Sequence, residues 1–405
     1  MPWGVASGAL VLITAVVFAW GALSARLERA DVTAPIAFVG VGVLIAAVAP
    51  LDADTETASV TVLTEATLVW VLFSDAARVP VQAIRHDLGP YVRLLAVGLP
   101  LTMLAGWGLA WWFFPAAGVW VALLVAAALA PTDAALGIPV VTNPVVPVRV
   151  RRLITVESGL NDGIATPVVM LAIAAVAAEE ELAGDSGLGT ALVSLLVGAV
   201  VGGVVGLVGG RVLRWARRRG WAAEDFAGVA VLALALIAYT AALAVDANGF
   251  VAAFCGGLAF GAAAGPRGPA ELVYVEQSAG LVSLLVWLAF GAVAGPIMLD
   301  LVTPMMVVYA VLSLTLVRMV PVAVACLGAG FDRGTILFIG WFGPRGLASL
   351  VFALLALEDL GPEADQAVAA IGVTVLLSVI AHGLTAAPLA ARYGRTHPPA
   401  SSVSK

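Results

Sequence analysis

Two carboxylates and an amide lie within one long apolar stretch of this 405-residue chain. Glu157, Asn161 and Asp162 come just before an uncharged run that extends from residue 164 to residue 178. An ionised side chain at the centre of a bilayer costs at least about 2.5 kcal/mol, so acids at that depth are rare and mark ion or proton pathways. Oxygen ligands of this kind suit a hard cation such as Na⁺. The segment is therefore the first candidate for a site of ion passage.

Helix geometry predicts different roles for the two carboxylates. At 100° per residue, Glu157 and Asn161 share one stripe of the helix, and Ser158 and Asp162 share the neighbouring stripe. The first stripe can hold a buried arginine by charge and hydrogen bond, whereas the second can present a carboxylate and a hydroxyl to a cavity. Because Asp162 can hold a proton or a metal ion but not both, exchange of H⁺ for a cation follows from this competition.

The composition is that of a membrane protein. The chain is 62% hydrophobic and 11% charged, and its mean hydropathy is +1.06, whereas about a quarter of the residues in soluble domains are charged. A membrane-spanning helix needs roughly 20 apolar residues. We therefore expect an all-α polytopic membrane protein, with no nucleic-acid partner and with 13 transmembrane helices near 5–25, 33–49, 59–77, 91–112, 117–140, 149–179, 188–214, 224–244, 248–265, 274–296, 303–328, 335–357 and 365–390.

The charges between these stretches predict the orientation. Of the 20 basic residues, 18 follow odd-numbered stretches, and the alternate loops contain acids but no Lys or Arg. The positive-inside rule then predicts a multi-pass protein of the cell (inner) membrane, with its N-terminus outside and a cytoplasmic tail at 401–405. The basic set is Arg26, Arg29, Arg78, Arg85, Arg93, Arg149, Arg151, Arg152, Arg211, Arg214, Arg217, Arg218, Arg219, Arg267, Arg333, Arg392, Arg395 and Lys405, and the acidic set is Asp52, Asp54, Glu56, Glu179, Glu180, Glu181, Asp185, Glu358, Asp359, Glu363 and Asp365.

Two of the predicted helices are interrupted. Pro131 in the fifth stretch cannot donate a helical hydrogen bond, and the twelfth stretch contains Gly343 and Pro344. The two stretches are seven apart, and an odd offset predicts two inverted repeats with crossed discontinuous helices, the arrangement typical of a midplane transport site. Free carbonyl groups at the breaks can bind a cation. Asp133 and Arg345 would offset the exposed half-helix ends or each other.

The remaining charges inside the stretches complete the candidate set. The two bases are Arg318 and Arg345, and Glu65 is a further buried acid in the third stretch. Asp75, near the end of the same stretch, is interpreted as an interfacial residue. Because unpaired charges are costly in a low dielectric, we expect some of these bases and acids to pair.

The residues quoted above carry a family resemblance. The run from Glu157 to Gly163 resembles the signature of the monovalent cation:proton antiporters of the electroneutral, NhaP-like branch, to which the animal sodium/proton exchangers are related. The likeness covers nearly the whole chain, although many members have proline where this chain has Ala134. The other similar segments, in order, are Thr132-Asp133, Arg318 with Pro321-Val322, Gly343-Pro344-Arg345-Gly346 and His382-Gly383-Leu384-Thr385.

The resemblance implies an ion site centred on one carboxylate. Asp162 would bind Na⁺ or a proton, and Ser158 and the backbone carbonyl of Thr132 would be Na⁺ ligands, with Asp133 close by. Glu65 resembles a glutamate that completes the ion site in some members, or it could instead be the structural partner of a buried arginine.

The resemblance also implies a structural ion pair between Glu157 and Arg318, bridged by Asn161. Members of the family are usually homodimers in which a core domain moves against a dimerisation domain. We expect a single transmembrane domain over 1–400, with its core at about 91–179 and 303–390 and its scaffold at about 1–90 and 188–296. Membrane lipid is the expected surroundings, and no cofactor beyond the transported ions is expected.

The predicted function is secondary active exchange of a monovalent cation, Na⁺ with Li⁺ or K⁺ as alternatives, for H⁺ by alternating access. With Glu157 held by Arg318, only one titrating charge cycles, which predicts electroneutral 1:1 exchange. A potassium/proton antiporter, and a cation channel or other solute transporter on the same broken-helix fold, remain alternatives. An enzyme is not expected, because no HExxH or GxSxG motif occurs and His382 is the only histidine within a stretch.

Overall fold

The computed structural model describes residues 3–28, 32–48, 53–79, 88–179, 188–265 and 268–397. Within those ranges every regular element is helical. The predicted tail at 401–405 lies outside the described residues, as do several charges used to predict the orientation, namely Arg29, Asp52, Arg85, Glu180, Glu181, Asp185, Arg267 and Lys405.

The helices follow the apolar stretches of the sequence and break where proline and glycine cluster. A π-helical turn at Leu94–Gly98 lies inside the fourth helix. The helices are α1 (Trp3–Glu28), α2 (Ala34–Val48), α3 (Ala53–Ala77), α4 (Leu88–Phe113), α5 (Gly118–Leu129), α6 (Ile138–Val141), α7 (Val148–Glu179), α8 (Leu188–Arg218), α9 (Glu224–Leu243), α10 (Gly249–Ala263), α11 (Gly268–Leu301), α12 (Pro304–Ala325), α13 (Arg333–Trp341), α14 (Leu347–Leu360) and α15 (Asp365–Thr396).

Many of these helices can cross a bilayer. Among the described residues, eight helical segments are long and apolar enough to do so, and one of them, Leu347–Thr396, contains both α14 and α15. Four further apolar helical segments are shorter, at Val11–Leu27, Ala34–Ala47, Pro115–Leu129 and Gly249–Ala263. The protein is therefore an all-helical, multi-pass membrane protein.

Small residues let α8 and α10 pack backbone to backbone. Gly198, Gly202 and Gly206 recur at four-residue spacing on one face of α8, and a Cβ atom added at any of them would collide with the backbone of α10. Close approach through such small residues is a common way for membrane helices to associate. α10 in turn packs on α3, and α2 packs on α11.

The polar segment of α7 lies between the group of helices that contains α3 and α10 and the interrupted helix that begins with α5. α7 packs on α5 and also contacts α3 and α10. Gly163 permits the contact with α10, because a Cβ atom there would enter the ring of Phe254. Gly159 faces α3, and a Cβ atom built on it would lie 3.5 Å from the backbone oxygen of Asp75, an ordinary contact distance. The glycine next to Asp162 therefore allows α7 to pack closely on α10.

Candidate functional site

The two interrupted helices meet at their breaks. α5 ends at Leu129 and helical structure resumes with a short 3₁₀ turn at Ala135–Gly137, while residues 342–346 separate α13 from α14. The backbone N–H of Asp133 donates to the carbonyl oxygen of Pro344 at 2.8 Å. The unwound segments are thus joined directly, backbone to backbone, beside α7.

Each break supplies a charge to a half-helix end of the other interrupted helix. Nη1 of Arg345 donates to the carbonyl oxygens of Ala130 and Pro131, at 2.5 and 2.9 Å, where α5 ends. The N–H of Leu347, the first residue of α14, donates to Oδ2 of Asp133 at 3.2 Å. A cation at a helix C-terminus and an anion at an N-terminus both oppose the helix dipole. The sequence left open whether Asp133 and Arg345 compensate the half-helix ends or pair with each other. In the structure each charge compensates a half-helix end.

The structural ion pair expected from the sequence is in contact. Nη1 of Arg318 in α12 donates to Oε1 of Glu157 at 2.6 Å, and the two side chains are only 1% and 4% exposed. A Cβ atom added at Gly343 would lie 2.5 Å from Nε of Arg318. The glycine of the second break therefore leaves room for the arginine that holds Glu157.

A hydroxyl and amide cluster connects α7 to the first break. Oγ of Ser158 lies 2.9 Å from Oγ1 of Thr132, and Nδ2 of Asn161 donates to the same hydroxyl at 2.7 Å. The family resemblance implied that Asn161 bridges Glu157 and Arg318. In the structure the carboxamide of Asn161 reaches Thr132 instead and links α7 to the unwound segment.

Asp162 has a carboxylate oxygen with no partner. The residue is 6% exposed, and its Oδ1 is buried with no hydrogen-bond partner among the described residues. Leaving a buried polar atom unpaired costs about 1–3 kcal/mol, more for a charged group. No group of three or more His, Cys, Asp or Glu in the described part of the chain could hold a metal ion. A cation at Asp162 would therefore take at least part of its coordination from oxygens other than carboxylates, such as those of hydroxyl and carbonyl groups.

Asp75, which the sequence interpretation set aside as interfacial, lies near the polar segment of α7. A cavity of about 380 Å³ opens between the end of α3 and the start of α7, and Asp75, Arg78, Thr155 and Gly159 are among the residues that line it. Gly159 precedes Asp162 by three residues, about one helical turn, and the Asp75 and Asp162 carboxylates are within electrostatic range of each other. Asp75 lies near the end of α3, where acids are often interfacial. Its position in the sequence therefore did not distinguish it from an ordinary interfacial acid.

Glu65 lies elsewhere in the structure. Its carboxylate lies near the Tyr239 hydroxyl in α9 and is within electrostatic range of Asp359. Glu65 precedes Asp75 by ten residues, which corresponds to about 15 Å along α3. The structure therefore groups Glu65 with Tyr239 and separates it from the residues around Asp162.

Comparison with known proteins agrees with this architecture. The family described as "Sodium/hydrogen exchanger, transmembrane" matches residues 12–392. A probable Na(+)/H(+) antiporter of Schizosaccharomyces pombe is 27% identical over 320 residues, 72% of this chain and 40% of that protein. The K(+)/H(+) antiporter NhaP of Alkalimonas amylolytica is 26% identical over 333 residues, 80% of this chain and 56% of that protein. The chain thus spans about half the length of these curated relatives.

Solved structures share the fold. The sodium proton antiporter MjNhaP1 from Methanocaldococcus jannaschii at pH 8 has a TM-score of 0.76 at 18% identity, over 96% of this chain and 99% of that one. An electron-microscopy structure of MjNhaP1 gives 0.74 at 17% identity, over 98% and 99%. The family is one of transporters and not of enzymes, as the sequence predicted. With the family match extending over nearly its whole length, this chain belongs to the sodium/hydrogen exchanger family of transmembrane proteins.

Proposed function

We propose that this chain is a secondary active antiporter that exchanges Na⁺ for H⁺ across the cell (inner) membrane by alternating access. The observation that carries the proposal is the buried, unpartnered carboxylate oxygen of Asp162 beside the two breaks. A carboxylate there binds a cation or a proton but not both. Each ion therefore displaces the other, and the two are carried in opposite directions.

The proposed Na⁺ ligands are Asp162, Ser158 and the backbone carbonyl of Thr132. The 2.9 Å contact between the hydroxyls of Thr132 and Ser158 supports this set of ligands. It brings the first break next to the stripe of α7 that carries Asp162. Asp133 offsets the N-terminus of α14 and is not a ligand in this proposal. Glu65, which the resemblance offered as a residue that completes the ion site, is not a ligand in this proposal. Asp75 is the acid that cations pass on the way from the cavity to Asp162.

We propose electroneutral 1:1 exchange. Glu157 is held at 2.6 Å by Arg318 and is removed from the cycle. The carboxylate that alternates between proton and cation is then Asp162 alone. One positive charge moves in each direction per cycle.

The proposed architecture has 13 spans in two inverted repeats, with the N-terminus outside and the C-terminus in the cytoplasm. The seven-span offset between the interrupted helices supports the inversion, and their reciprocal charge contacts are what two related halves would produce. The cavity at Asp75 then opens to the cytoplasm. The core (about 91–179 and 303–390) would move against the scaffold (about 1–90 and 188–296) in a homodimer.

Potassium is the second candidate cation, because one relative is a K(+)/H(+) antiporter. The ligand oxygens named above suit either ion, and selectivity depends on cavity size and on the number of ligands. The choice between Na⁺, Li⁺ and K⁺ is therefore left to the transport assay.

The test is fluorescence dequenching in proteoliposomes with an imposed proton gradient, using Na⁺, Li⁺ and K⁺ in turn across a range of pH. We expect cation-driven proton flux with the wild-type protein, none with Asp162→Asn, and normal flux with Asp300→Asn, an exposed acid at the end of α11. Flux retained in Asp162→Asn would overturn the assignment. An uncoupled current or the transport of an organic solute would favour a channel or another transporter.

A further inference from the structure

The second break lacks a particular backbone hydrogen bond. If α13 continued into α14 without interruption, the N–H of Arg345 would donate to the carbonyl oxygen of Trp341, four residues earlier. Residues 342–346 are unwound, so these two groups no longer meet. A backbone group buried at membrane depth must find another partner, because no water in the hydrocarbon region replaces it.

Two side chains of α15 connect the separated groups. The N–H of Arg345 donates to Oγ of Ser378 at 2.7 Å, and that oxygen lies 3.1 Å from Nδ1 of His382. Nε2 of the same imidazole lies 2.8 Å from the carbonyl oxygen of Trp341. The contacts form one continuous path from the amide that has lost its helical acceptor to the Trp341 carbonyl, which also accepts from the N–H of Gly343 at 2.8 Å.

The donor and acceptor capacities fix the direction of the two bonds to the backbone. A backbone N–H can only donate and a carbonyl can only accept, so Ser378 accepts from Arg345 and Nε2 of His382 donates to Trp341. The Ser378 hydroxyl keeps its own proton, which can be donated to Nδ1 of His382 when that nitrogen is unprotonated. A proton at Nδ1 would instead be donated to the oxygens of Ser378, whose carbonyl lies 2.9 Å away.

Packing holds this path in place. Ser378 and His382 are both buried, and the imidazole stacks on the Trp341 indole with 5.0 Å between the ring centroids. One turn further along α15, Oγ1 of Thr385 accepts from Nε1 of Trp341 at 3.0 Å. α15 therefore contacts the break at two points, at Trp341, the last residue of α13, and at Arg345.

We propose that Ser378 and His382 are positioning residues that fix the unwound conformation of the second break by replacing its missing helical hydrogen bond. They thereby hold the Pro344 carbonyl against Asp133 and aim Arg345 at the end of α5. The conformational part of this inference stands alone, and its consequence for cation affinity rests on the proposed antiport.

The test uses the full-length protein in detergent micelles and in proteoliposomes, with Ser378→Ala and His382→Leu. Hydrogen–deuterium exchange of peptides covering 342–347 measures the protection of the backbone at the break. The apparent KM for the transported cation measures the effect on the proposed ion site. The matched control is Thr374→Ala, since this buried hydroxyl lies one turn earlier on α15 and donates only to its own helix, to Ala370 at 2.7 Å.

We expect both test variants to exchange at least about tenfold faster across the break, because Ser378→Ala leaves the buried Arg345 N–H unpaired and His382→Leu removes the side-chain donor to the Trp341 carbonyl and breaks the path to Ser378. They should also raise the apparent KM, while peptides of α8 keep wild-type protection and Thr374→Ala changes neither readout. Wild-type exchange at 342–347 in Ser378→Ala and His382→Leu would overturn the proposal. So would loss of protection spread evenly over the whole chain in both variants, because that is the result of general destabilisation.

The two proposals fail in different ways. A wild-type protein without cation/proton exchange, together with a loosened break in Ser378→Ala, would remove the proposed antiport and leave the positioning role intact. Normal antiport with an unchanged break and an unchanged KM in the variants would remove the positioning role alone.

Discussion

Removal of the Arg318 guanidinium should leave the carboxylate of Glu157 unpaired in the membrane interior. The two groups are 2.6 Å apart, and both side chains are almost fully buried. Breaking a buried ion pair from one side costs about 3–5 kcal/mol, whereas replacing both partners with neutral groups is often close to neutral. We therefore expect Arg318→Met, which keeps much of the side-chain volume, to lower stability by about 3 kcal/mol or more, and Glu157→Gln/Arg318→Met to recover most of that loss.

Thermal unfolding of the full-length protein in detergent micelles, followed by intrinsic tryptophan fluorescence, measures this difference. Arg318→Met should lower the Tm by at least about 5 °C. The control is Arg392→Met, because Arg392 is exposed on α15 and surface changes are usually within about 0.5 kcal/mol. The reasoning is refuted if Arg318→Met is as stable as the wild type, or if the double variant is no more stable than the single one.

Three further predictions concern the ion path and its supports. Gly346→Ala should reduce transport in proteoliposomes at least about tenfold, because the added Cβ would collide with the Asp133 side chain and force the breaks apart; normal transport would contradict this. Asp332 caps the N-terminus of α13, where its carboxylate accepts from the N–H groups of Gly334 and Thr335. The Thr335 hydroxyl, together with these N–H groups and His397, holds the pKa of Asp332 at about 2 rather than 3.8. The cap therefore contributes stability above pH 3.8 that is lost as the pH falls through about 2. Asp332→Ala should accordingly lower the free energy of unfolding by about 1 kcal/mol at both about pH 6 and about pH 8, and a loss at only one of these values in thermal unfolding would contradict the assignment. Asp75→Asn should raise the apparent KM for the cation about fivefold with less effect on the maximal rate, and an unchanged KM would remove Asp75 from the path.

The polar pattern of α7 and the two breaks could be predicted because their causes are local. Helical spacing alone separates Glu157 from Asp162 by stripe, and Pro131 removes a helical donor whatever surrounds it. The cost of buried charge predicted only that some acids and bases would pair, and the family resemblance implied the particular pair of Glu157 with Arg318. The stripes of α7 and the two breaks needed no more than the sequence and helix geometry.

Contacts between helices could not be predicted in the same way. Asn161 has the right type and spacing to bridge the ion pair, but its carboxamide meets Thr132 because α5 is unwound beside it. Glu65 and Asp75 are both acids of α3, and only the packing of α7 on that helix decides which one lies near the ion site. Which partner such a side chain contacts depends on where the neighbouring helices lie. The spacing of residues along one helix does not carry that information.

The reciprocal contacts of Asp133 and Arg345 are an intermediate case. The sequence placed one charge at each break and left two arrangements possible, with the charges paired to each other or set against the half-helix ends. The structure has the second arrangement, because the unwound segments cross with the Asp133 amide on the Pro344 carbonyl. Each charge then reaches the opposite helix end and not its counterpart.

The central claim is that Asp162 trades a proton for a cation, and proton release on cation binding tests it most directly. The purified full-length protein in weakly buffered detergent solution would be titrated with Na⁺ while the released protons are counted with a pH indicator. The account predicts about one proton released per Na⁺ bound in the wild type, and neither release nor binding in Asp162→Asn. Undiminished proton release from Asp162→Asn, or Na⁺ binding by the wild type without proton release, would contradict it.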